Sequence, residues 1–165
     1  MLLSPHTRWI ASLGLWLALA LWPVSILAAS EDPIAVIVSS THAKGLNKES
    51  LVLLFKRKKL FWSDGSRAQP VNLPASHPLR RSFSQAVLGH TPEELEKYWN
   101  DQYFNGISPP YVLASEEAVL HFVASTPGAI GYVPLCSSDA RVVIAFVITS
   151  SGHFSEEIPA HDCPH

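Results

Sequence analysis

Apolar residues along this chain fall into two patterns, short continuous runs and longer stretches spaced for one helical face. Ile34-Ala35-Val36-Ile37-Val38 is continuous and of strand length, the pattern of a strand covered on both faces. After a polar loop, Asn47 is placed to cap a helix whose Leu51, Val52, Leu54 and Phe55 share one face. That helix runs into Lys56-Arg57-Lys58-Lys59, cations suited to the negative end of a helix dipole. Ser63-Asp64-Gly65-Ser66 signals a turn, and Pro70-Val71-Asn72-Leu73 a short strand. A second helix opens at Ser76-His77-Pro78, carries Leu79, Phe83, Ala86 and Val87 on one face, and stops at Gly89. Thr91-Pro92-Glu93-Glu94 is a capping box with Pro at the first helical position. It predicts a third helix with Leu95, Tyr98, Trp99 and Tyr103 on one side, ended by Gly106. Tyr111-Val112-Leu113 is a short strand. Ser115 caps a fourth helix lined by Val119, Leu120, Phe122 and Val123. Thr126-Pro127-Gly128 then turns the chain into a strand, Ala129 to Val133, where Gly131 marks the close approach of a neighbouring backbone. Arg141 to Thr149 is the last apolar strand, and a polar tail begins at about Ser150. Strands alternate with helices throughout, which predicts an α/β layer fold with a mixed sheet flanked by helices. Phe61, Trp62, Tyr98, Trp99 and Tyr103 are expected in the core.

Residues 1–30 stand apart. His6 and Arg8 precede a nearly unbroken apolar run from Trp9 to Leu27, and Ala28-Ala29-Ser30 supplies small residues before Glu31-Asp32-Pro33. This is the pattern of a cleaved signal peptide, with an uncleaved anchor as the alternative. It predicts a periplasmic or secreted protein with one domain over residues 31–165. No Cys follows the run, so no lipid anchor is expected. Removing Arg8 with this segment takes the formal charge from −2 to −3, which argues against a nucleic-acid partner. It does not exclude a small anion held by backbone N–H groups and hydroxyls. The two cysteines, Cys136 and Cys163, form a disulfide in an oxidising compartment. No nucleophile elbow, Gly-rich phosphate loop or His-Glu-x-x-His motif is present. The chain is therefore not expected to be an enzyme, and no cofactor is implied.

An ordered series of phrases resembles the phosphate-binding proteins of ABC importers. It comprises Leu54-Phe55-Lys56, Phe61-Trp62-Ser63-Asp64-Gly65, Pro70-Val71-Asn72-Leu73, Ser82-Phe83, Leu88-Gly89, Tyr98-Trp99, and the segment Pro127-Gly128-Ala129-Ile130-Gly131-Tyr132-Val133. The resemblance runs from about Ile34 to Val133 and is to short, single-lobe relatives. It implies one lobe of the type 2 periplasmic-binding fold, with phosphate or a similar oxyanion as ligand. An ABC permease, or a second lobe or protomer, would be the protein partner. Ser76 falls where that family uses a Ser or Thr at a helix N-terminus. His77 brings a titratable ring to the same place, and Arg80 lies one turn in. The family's Arg, Asp and Thr of that phrase are here Asn72, Pro74 and Pro78. Ser39, Ser40 and Thr41 stand in for the missing first-lobe loop.

A second reading is a structural or interaction protein of the bacterial envelope that keeps the lobe fold without the ligand. The missing Arg and Asp favour it. A third is a metal-handling protein using His153, His161, Asp162, Cys163 and His165, whose spacing fits no standard zinc pattern.

Overall fold

A computed structural model describes residues 32–39, 46–158 and Cys163. The proposed signal segment, Ser40, Thr41, His161, Asp162 and His165 lie outside the described residues. Strand β1 is Ile34–Val38, followed by helix α1 (Lys48–Phe55), β2 (Gln69–Asn72), α2 (Pro78–Phe83), α3 (Glu96–Phe104), β3 (Tyr111–Val112), α4 (Glu116–Ser125), β4 (Ala129–Pro134), β5 (Val143–Ile148) and β6 (Phe154–Ser155). Among the described residues the strands form one sheet in the order β3-β2-β4-β1-β5-β6. β1 runs antiparallel to β4 and β5, whereas β2 is parallel to both β3 and β4. The expected α/β lobe with a mixed sheet is the fold observed.

β1 is buried along its whole length because both faces are covered. Alternation along β4 shows how. Tyr132 faces α1 and α2, its ring 3.8 Å from that of Phe83 and 6.0 Å from that of Phe55. Gly131 faces α4, and a Cβ there would lie 2.6 Å from Val119 Cγ1. What approaches Gly131 is thus a side chain of α4, not a neighbouring backbone.

The caps read from the sequence are made. Asn47 accepts from Ser50 N, Ser115 from Ala118 N, and Thr91 and Glu94 bond reciprocally at 2.7 and 3.3 Å. Three details differ. The cap of α2 is His77, with Pro78 in the first turn, and Ser76 lies just outside. The helix is regular only to Phe83 and widens into a π turn over Ser84–Leu88 before left-handed Gly89. α1 ends at Phe55, so its cations follow the helix instead of closing it. Two aromatics expected in the core are on the surface. Phe61 is 54% exposed in an isolated bridge to Arg67, and Tyr103 is 69% exposed because no element among the described residues covers the last turn of α3. Trp62 is buried and donates to the Gly128 carbonyl at 2.9 Å, while Tyr98 and Trp99 are half-buried.

Candidate functional site

The turn between β2 and α2 has two faces of opposite character. On the outer face, the N-termini of α2 and α4 border a groove of about 310 Å³. His77, Pro78, Leu79 and Ser82 line one wall, with Asp32 and Glu116 facing them. His77 Nδ1 accepts from Leu79 N at 3.3 Å, and its Nε2 lies 3.7 Å from Glu116 Oε1. The ring therefore serves as helix cap and faces a carboxylate. Pro78 contributes no N–H. Ser76 is exposed beside this turn.

Arg80 turns to the inner face. It is 7% exposed, its Nη1 has no hydrogen-bond partner, and no carboxylate among the described residues pairs with it. One turn further on, Ser84 is fully buried and its hydroxyl is also unpartnered. Arg80 and Ser84 thus present two unsatisfied donors on one face of the helix. Beside them, the Tyr132 hydroxyl accepts from Leu73 N and donates to Asn72 Oδ1, both at 3.3 Å. Burial pushes the Tyr132 hydroxyl up to about 12. Burial also lowers the pKa of the Arg80 guanidinium, an effect that Tyr132 opposes. A cation without a counter-charge in an interior is costly, and an oxyanion is the species that would satisfy both donors.

Ser39 belongs elsewhere. Its hydroxyl accepts from Gly128 N at 3.2 Å and fastens the end of β1 to the turn before β4. Since β2 is parallel to β4 and β1 antiparallel to it, the end of β1 and the end of β2 lie at opposite ends of the sheet. The structure brings together Arg80, Ser84, Asn72 and Tyr132 and keeps Ser39 apart from Ser76. Asn72, Ser84 and Tyr132 were not singled out as ligands from the sequence. The available signal was polar atoms on otherwise apolar faces, since Ser84 falls at i+4 from Arg80 and i−3 from Val87.

Among the described residues no cluster of three metal-ligating side chains occurs. Cys163 is bonded to Cys136, with Cα atoms 5.4 Å apart, and so offers no thiolate. Among the described residues no helix is long and apolar enough to cross a membrane.

No protein-family model and no curated protein matches the chain. Solved structures do. An ABC-type phosphate transport receptor from Vibrio cholerae is similar with a TM-score of 0.56 and 21% identity, over 70% of this chain and 46% of that one. A putative phosphate ABC transporter substrate-binding protein from Clostridium perfringens, solved with bound phosphate, gives 0.54 and 19% over 70% and 44%. PstS from Borrelia burgdorferi gives 0.50 and 19% over 65% and 42%. The chain spans less than half the length of each. This likeness shows the fold, an α/β lobe of the kind found in phosphate-binding receptors.

Proposed function

We propose that this protein is an exported, non-catalytic solute-binding module that takes phosphate or a similar small oxyanion for ABC-type uptake or sensing. The observation that carries the reading is the largely buried Arg80, whose Nη1 has no hydrogen-bond partner, with the equally unpartnered Ser84 hydroxyl one turn further along the same helix. A positive charge and a hydroxyl donor on one helix face suit a phosphoryl oxygen. Entry requires Arg80 to swing outward or α2 to shift, and the wide turn at Ser84–Leu88 is the place to yield. Ser76 and His77 stand at the mouth of the same turn, whereas Ser40 and Thr41 directly follow Ser39 in the sequence and are not assigned to this site. A single lobe has no closing cleft, so tight binding needs a second lobe, a second protomer or the permease to cover the anion. The phosphate receptors named above support the ligand class.

The test is a thermal melt of the protein with millimolar phosphate, with sulfate as control. Ligand at about 100 times its dissociation constant adds about 2.7 kcal/mol. Arg80→Gln is expected to abolish the phosphate-dependent rise while the variant still unfolds cooperatively. A second reading, a lobe retained for protein contacts alone, is favoured by Asp32 and Glu116 in the outer groove, where they oppose an anion. Absence of a shift with either anion in the folded wild-type protein rules out a useful anion site in this lobe alone and favours that reading.

A further inference from the structure

The segment after α1 carries an arginine where the backbone favours glycine. Lys58 N donates to Leu53 O at 2.8 Å and Arg57 N to Leu54 O at 3.0 Å, the paired bonds of a left-handed helix stop. Arg57 has φ 57°, the one positive φ outside glycine among the described residues. A side chain there is strained, and its presence calls for a reason. Its Nε is buried and unpartnered. The side chain lines a cavity of about 570 Å³ together with Arg67, Gln69, Ser108, Pro110 and Tyr111. None of the described residues lining that cavity is acidic. Arg57 and Arg67 are close enough that Arg67 lowers the pKa of Arg57, after burial has lowered it more. Two like charges share one cavity, and no carboxylate among the described residues lining it neutralises them.

We propose that this cavity is a second anion site, built for a phosphate monoester and distinct from the Arg80 site. Paired guanidinium groups match the oxygens of a phosphoryl dianion, and an anion between them relieves their repulsion. The cavity is larger than inorganic phosphate needs. Its Pro110 and exposed Tyr111 walls suit an organic remainder, such as a ring. It lies at the start of β2, where Arg67 to Pro70 enter the strand, whereas Arg80 lies beyond the strand's end.

The experiment is a melt and a titration of the protein from full-chain expression. Phenyl phosphate is the probe, with inorganic phosphate and benzyl alcohol as controls. Phenyl phosphate is expected to raise the melting temperature and to bind more tightly than either control. Arg67→Ala, at an exposed position, and Arg57→Gly should each weaken it about tenfold or more. Arg57→Gly should also start from a higher melting temperature, because it removes the strain; a purely structural arginine would not combine that gain with lost binding. Arg80→Gln should leave the phenyl phosphate response intact. Binding kept in both Arg57→Gly and Arg67→Ala but lost in Arg80→Gln would overturn this inference while sparing the function proposed above. Absence of phenyl phosphate binding to the wild-type protein would overturn it outright.

Discussion

Tyr132 sits where burial, charge and hydrogen bonding meet, and its titration is a direct test of that placement. Its folded pKa is raised to about 12 against an ordinary value of 10.0. Between those values the unfolded chain has lost the phenolic proton and the folded one keeps it. The folded state then binds more protons, so stability falls as pH rises. The contribution is fully present below about pH 10 and gone above about pH 12, a loss of about 3 kcal/mol. Denaturant unfolding across this range should show that alkaline decline. Tyr132→Phe should flatten it, after a cost of about 1–2 kcal/mol at neutral pH from leaving Leu73 N without its acceptor. Equal slopes in the two proteins would place the hydroxyl in water and remove it from the polar spot beside Arg80.

At the scale of elements, spacing between α4 and the sheet depends on the missing side chain at Gly131. Val119 Cγ1, Val71 Cγ2 and Val123 Cγ2 all converge on that point. Two of them belong to α4, so a methyl group there pushes the helix off β4. Gly131→Ala should destabilise by about 2 kcal/mol, read as a lower urea midpoint with unchanged slope, whereas Ala substitution on an open surface would change little. The need for Gly131 was legible in the sequence, but not what approached it, because the partner lies in another element. The same divide runs through the fold. Asn47, Thr91 with Glu94, and Ser115 were readable as caps because their partners lie three residues away. The apolar run of β1 was readable because both faces are covered. The exposure of Phe61 and Tyr103 was not, since it depends on whether a distant element arrives to cover them. Arg80 was picked out for its charge one turn into α2. Its inward direction was set by which face of α2 meets β4, and the burial of Ser84 follows from the same packing, although its spacing from Arg80 and Val87 was a signal in the sequence. Ser39 shows the limit most plainly. Its distance from Ser76 follows from strand direction, which local patterns do not carry.

Across the whole molecule, the Cys136–Cys163 bridge adds a covalent tie to the strand pairing that holds the C-terminal part of the chain to the sheet. Cys136 lies in the 3-10 turn Leu135–Ser137 directly after β4, and the bonded residues are 27 apart in sequence. Between them run β5, which packs on β1, and the short edge strand β6. β6 pairs through only two residues, too few to be secure alone. Closing the chain around β5 and β6 restricts the unfolded ensemble and is worth about 3 kcal/mol. Replacing both cysteines by Ser should lower stability by about that amount while leaving the far-ultraviolet circular dichroism nearly unchanged. A reducing agent should lower the melting temperature of the wild-type protein and leave the double variant where it is. If the wild-type protein melts at the same temperature with and without reductant, the bridge does not fasten the fold. The proposed exported location would then lose one of its supports, because such a bridge persists in oxidising compartments and is rarely kept in reducing ones.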